Sequence, residues 1–125
     1  MRYFISGHRD LTWEEFTKWY APAISNAINN DRLACFVIGD CDGADKMAQE
    51  YILACGYSPR NILLYHMFES PRYRVHPDIH TYGGYTSDIE RDSAMTENSD
   101  RDIAFIRKGK ESSGTAQNIL RRWTK

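Results

Sequence analysis

The 125-residue chain has little of what marks several common protein classes. No apolar run approaches the roughly 20 residues that a membrane-spanning helix needs, so no membrane contact is expected. The opening segment, Met1-Arg2-Tyr3-Phe4-Ile5-Ser6-Gly7-His8, loses its apolar character within a few residues and lacks signal-peptide anatomy. A cytoplasmic location is the expectation. Net charge is −1, which gives no global attraction to nucleic acid or acidic membranes, and no extended nucleic-acid surface is evident. The three cysteines are odd in number and form no ligand motif. Cys35 and Cys55 read as core fillers. Cys41 has no histidine beside it in sequence to activate it as a nucleophile. Repeats and low-complexity tracts are absent. What is present is a 42% hydrophobic composition on a length that suits one domain, residues 1–125, with a real core.

Residues 2–6 read as a first strand ending at Gly7. Thr12-Trp13-Glu14-Glu15 is a capping box that starts a helix. That helix places Trp13, Phe16, Tyr20, Ile24, Ala27 and Ile28 near one face, and Pro22 should kink or interrupt it. Asn29-Asn30-Asp31 ends it. A second strand is expected over Leu33–Ile38. The next helix buries Ala44, Met47, Ala48, Tyr51, Ile52 and Cys55, with Gly56 as its C-terminal cap. A third strand covers Asn61–His66. A stretch of about twenty residues, Met67–Thr86, then reads as a long loop rich in aromatics, of the kind that is usually functional. Ser87 and Glu90 suggest another capping box, for a helix running to about Asn98. Asp102–Arg107 reads as a strand. Ser112-Ser113-Gly114-Thr115 starts a last helix with Ile119, Leu120 and Trp123 on its apolar side.

Strands alternating with helices predict an α/β fold: a three-layer sandwich with a mainly parallel sheet of about four to five strands. Ligands of such sheets bind at the carboxyl ends of the strands. Three such ends carry polar, glycine-rich segments. Gly7-His8-Arg9 offers a tight turn, a titratable ring and a guanidinium able to clamp a phosphate or carboxylate. Gly39-Asp40-Cys41-Asp42-Gly43-Ala44-Asp45 leads from a strand into a helix N-terminus, where unpartnered N–H groups and the helix dipole favour an anion. Its carboxylates suit ribose hydroxyls better than a metal. They lack the distant glutamate of a calcium loop, and the segment lacks the lysine of a P-loop. Ser113-Gly114-Thr115 supplies hydroxyls and N–H groups at another helix start. Arg91 can reach a phosphate or ribose across the site. His76 and His80 sit four apart, but Pro77 between them discounts zinc. No metal and no cofactor is expected. Tyr82 and Tyr85 are candidates to stack on a base.

These motifs together resemble the SLOG superfamily of Rossmann-like nucleotide-binding domains. That superfamily includes the lonely-guy phosphoribohydrolases and the DNA-processing protein of natural transformation. The resemblance rests on Ile5-Ser6-Gly7-His8-Arg9, on Gly39-Asp40 with Gly43-Ala44-Asp45, and on Ser113-Gly114-Thr115. Arg91-Asp92-Ser93-Ala94-Met95 is similar to the Arg-Lys-x-x-Met signature of the lonely-guy branch. The resemblance implies a nucleotide-like small molecule bound at the strand carboxyl ends, and by analogy a homo-oligomer. Three features depart from the lonely-guy pattern. Glu111-Ser112-Ser113-Gly114-Thr115 stands where the pattern has a fuller glycine cluster. Ala116-Gln117-Asn118 follow Gly114-Thr115 where the pattern has an acidic residue, and Asp92 replaces the signature lysine. The expected function is therefore binding of a nucleotide or nucleotide derivative, as a sensor or ligand-binding domain. The ligand set is Gly7, His8, Arg9, Gly39, Asp40, Gly43, Ala44, Asp45, Arg91, Ser113, Gly114 and Thr115. One alternative is cleavage of a nucleotide N-glycosidic bond, with Asp40, Asp45 or Glu90 as the candidate catalytic carboxylate. A second alternative is a protein-interaction module with a vestigial pocket.

Overall fold

The computed structural model describes residues 1–111 and 113–124. Along the chain, β1 (Arg2–Ser6) is followed by α1 (Trp13–Trp19), α2 (Ala21–Asn30), β2 (Cys35–Gly39) and α3 (Ala44–Ala54). Then come β3 (Ile62–Met67), β4 (His80–Tyr85), α4 (Asp88–Glu97), β5 (Arg101–Ala104) and α5 (Gly114–Trp123). The five strands form one sheet in the order β4-β3-β2-β1-β5. Every pairing is parallel. Helices lie on both faces, so the fold is a Rossmann-like three-layer α/β sandwich.

Alternation along the strands sorts the two faces. Ile5, Phe36, Ile38, Ile62 and Leu64 point to one side, where they pack with Phe16 and Tyr20, Ile24 of α2, and Ala44, Ala48 and Ile52 of α3. Phe4, Val37, Leu63 and Tyr65 point to the other side, against Met95 of α4. Burying each large apolar side chain stabilises the fold by about 1.5–3 kcal/mol, so the first face carries most of the core. The second face has the smaller cluster. The space between α4 and α5 lies over it.

Local chemistry explains the boundaries. Thr12 and Glu15 form a complete reciprocal capping box. Pro22 sits in the first turn of α2, and the helix breaks before it at Tyr20, because proline lacks the N–H that would continue the ladder. Gly56, at φ 80, follows α3 as its left-handed cap residue.

Several expectations shift. The segment read as one long loop contains β4. Gly83 lies in this strand, where the His66 ring fills the place a side chain would take. The second strand starts at Cys35, since Leu33 is 79% exposed. The third begins at Ile62, as Asn61 closes a short 3-10 turn. The last strand is only Arg101–Ala104. Trp13, Leu120 and Trp123 face solvent, Trp123 at 83%. α5 turns its polar side inward: Arg122 pairs with Asp102 at 2.8 Å, and Thr115 and Asn118 are buried. A helical apolar stripe therefore did not mark its buried side. Cys55 is exposed and Cys35 half-buried; Cys41 is the buried thiol. Ser87 caps α4, but the Glu90 carboxylate bonds Thr86, one residue before the cap. Among the described residues no helix is long and apolar enough to cross a membrane. Ser112 lies outside the described residues.

Candidate functional site

β2, β3 and β4 extend the sheet to one side of β1, and β5 extends it to the other. This reversal of order opens a crevice at the carboxyl ends of β1 and β5. Tyr20 is the strut across it. Its buried hydroxyl donates to Ser6 O at 2.7 Å and accepts from Phe105 N–H at 3.0 Å, tying the ends of both strands. Burial pushes the Tyr20 phenol up to about 12. Gly7 passes so close that a Cβ there would overlap the Tyr20 hydroxyl and the Ala44 methyl. Arg107, just beyond β5, is a second tie. Its guanidinium pairs with Glu15 at 2.8 Å and Asp10 at 3.1 Å.

A cavity of about 290 Å³ lies at this crevice. Phe4 and Ser6 of β1 and Met95 of α4 form part of its lining. The β1 loop contributes Gly7, His8 and Arg9; the end of β2 contributes Gly39, Cys41 and, through α3, Asp45. α4 contributes Asp88, Arg91 and Asp92, and α5 its N-terminus, Ser113, Gly114 and Thr115, with Asn118 a turn further on.

Arg91 is buried and enclosed by carboxylates: Asp40 at 3.3 Å, Asp92 at 3.3 Å and Asp88 at 3.4 Å. Its charge is matched inside the protein. Asp40 is sequestered behind it, also accepting the Arg72 backbone N–H at 2.8 Å. Asp45 accepts the Cys41 N–H at 3.1 Å. Burial nevertheless pushes its carboxyl up to about 7, so a proton is available there near neutrality. Burial also raises Asp92, against the pull of Arg91. The Cys41 thiol is raised by burial, which keeps it in its unreactive protonated form.

His8 accepts the Arg107 backbone N–H on Nε2 at 3.0 Å. Burial and the nearby Arg107 charge lower its pKa, so the ring is neutral and carries its hydrogen on Nδ1. Ser6 Oγ is buried in the cavity wall with no hydrogen-bond partner among the described residues. Arg9 is exposed and takes no ion pair among the described residues. The cavity thus combines one uncommitted cation, an orphaned hydroxyl, a neutral histidine and a protonatable carboxyl.

Of the residues expected from sequence, Gly7, His8, Arg9, Gly39, Asp45, Arg91, Ser113, Gly114 and Thr115 lie together on this cavity. Asp40, Gly43, Ala44 and Glu90 do not line it. The N-terminus of α3 is covered: Ala44 N–H donates to His8 O at 3.2 Å, and a Cβ at Gly43, where φ is 70, would overlap the carbonyl oxygens of His8 and Arg9. The Glu90 carboxylate is engaged by the backbone N–H and the hydroxyl of Thr86. Tyr82 and Tyr85 stack on Tyr65, at 5.0 and 6.0 Å, away from the cavity. Sequence reasoning missed Ser6, Asp88, Asp92 and Asn118 as lining residues. Strand alternation from Phe4 gives Ser6, and helical spacing from Arg91 gives Asp88 and Met95. Among the described residues no group of His, Cys, Asp or Glu is placed to hold a metal ion.

Compared with models of known families, with curated proteins and with solved structures, the chain matches none.

Proposed function

We propose that this cavity binds a nucleotide or nucleotide derivative, and that the protein acts as a ligand-binding or sensor domain, as the resemblance to the SLOG superfamily implies. The observation that carries the reading is the meeting of the β1 loop, the β2 end, α4 and the N-terminus of α5 on one cavity. Arg9 and the first N–H groups of α5 receive the anionic group. Ser6 Oγ and the Asp45 carboxyl are polar partners for ribose hydroxyls. Because Arg91 is already neutralised, one phosphate suits the site better than a polyphosphate. A thermal-shift screen of ribonucleoside monophosphates tests this. A ligand at 100 times its Kd adds about 2.7 kcal/mol, and no shift with any of them would leave the vestigial-pocket alternative. A homo-oligomer, on the resemblance, and a cytoplasmic setting belong to the same proposal.

One observation favours the hydrolytic alternative. Asp45 holds a proton near neutral pH, as a general acid for a departing base must, and Asp92 supplies a second carboxyl. Release of free base from a nucleoside monophosphate, abolished in Asp45→Asn with binding retained, would assign that activity.

A further inference from the structure

A second cavity, of about 260 Å³, adjoins the first and shares Arg9 and Asp88 with it. Its other walls include Met67, Phe68, Ser70 and Arg72, on the chain leaving β3. Phe68 is the one non-glycine among the described residues with a left-handed backbone, φ 56. Bulky L-residues avoid that conformation, and where it persists the surroundings enforce it. Here the enforcement is explicit. Phe68 N–H donates to Tyr85 O at 2.9 Å, and Gly84 N–H donates to Phe68 O at 2.8 Å. The clamp does not bury the ring, which stays 62% exposed. Core packing therefore does not account for a phenylalanine at this position, where glycine would satisfy the backbone at less cost. Tyr82 and Tyr85 are already stacked on Tyr65, and Tyr73, which also borders Arg9, is hydrogen-bonded to Asp42 and lies under Lys46, so among the described residues Phe68 is the uncommitted aromatic ring beside Arg9.

We infer that this second cavity is the aromatic subsite of the same cleft: a nucleobase, or another flat ring joined to an anionic group, stacks on Phe68 while the anion meets Arg9 at the junction. The inference rests on the reading of the first cavity as a nucleotide site. Every base has a π-face, so the ring supplies affinity without choosing among bases; such stacking is worth roughly five- to 150-fold.

Titration calorimetry with ribose 5-phosphate and the four ribonucleoside monophosphates, on the parent, Phe68→Gly and Phe68→Trp, tests it. In the parent at least one monophosphate binds about tenfold or more tightly than ribose 5-phosphate. Phe68→Gly relaxes the backbone, melts no lower than the parent and keeps its ribose 5-phosphate affinity, yet loses the gain from the base. Phe68→Trp retains the gain. If the parent binds ribose 5-phosphate as well as every monophosphate, or if Phe68→Gly keeps the gain, the aromatic subsite is wrong and the nucleotide reading stands. Equal loss of both ligands in Phe68→Gly gives the ring a structural role and also overturns the inference. Binding of neither ligand class by the parent overturns both readings.

Discussion

Asp45 gives the sharpest test of the electrostatics beneath the cavity. Its carboxyl titrates near 7 in the fold against an ordinary value of 3.8, because burial penalises the charged form. The folded chain therefore holds this proton more tightly than the unfolded chain does. The associated stability is complete below about pH 4 and is lost as pH rises through about 7. At about 1.4 kcal/mol per pH unit the full effect is about 4 kcal/mol, of which about 3 falls between about pH 5 and about pH 9. Asp45→Asn removes the ionisation and keeps an oxygen for the Cys41 N–H. Urea unfolding of parent and variant across that range is the assay. The free-energy gap between them cancels the contribution of Asp92 to first order, and it should move by about 3 kcal/mol in favour of the variant as pH rises. A gap that stays constant within about 1 kcal/mol, or moves the other way, would refute a buried, proton-bearing Asp45.

Three further outcomes test the frame around the site. Tyr20→Phe should cost about 1–3 kcal/mol in urea unfolding, because it strands the buried Ser6 carbonyl and the Phe105 N–H; no loss would deny the strut. Gly43→Ala should cost about 2 kcal/mol or more, since φ 70 and the carbonyls of His8 and Arg9 leave no room for a methyl, and an unchanged unfolding midpoint would contradict that packing. The Glu15 carboxyl, pushed down to about 2 first by its hydrogen bond from Arg107, should titrate markedly higher in Arg107→Ala when followed by carboxyl NMR. In the parent its contribution to stability is present above the ordinary glutamate range and fades as pH falls through about 2.

Much of the layout was legible because its signals are local. Thr12 with Glu15, Pro22 and Gly56 punctuate the helices through backbone chemistry that needs no tertiary context. The strand-helix alternation then brings the ends of β1 and β2 and the start of α5 to one edge, which is how Arg9, Gly39 and Thr115 come to share a cavity. Other features depend on partners distant in sequence. β4 was hidden because Gly83 makes room for His66, seventeen residues earlier. The inward side of α5 was misread because Asp102 draws Arg122 in and leaves Trp123 outside. The start of α3 looked like an open anion site, since nothing local shows that the β1 loop covers it. Arg91 looked like a ligand cation, and only the fold reveals three carboxylates around it.

The claim that a nucleotide binds at the crevice between β1 and β5 is tested most directly by amide NMR during titration with a ribonucleoside monophosphate. The largest shifts should fall together on Gly7, His8, Arg9, Gly39, Gly114 and Thr115, and Arg9→Ala should weaken binding about tenfold without lowering the melting temperature. Shifts confined to other surfaces, or an Arg9→Ala protein that binds as the parent does, would contradict it.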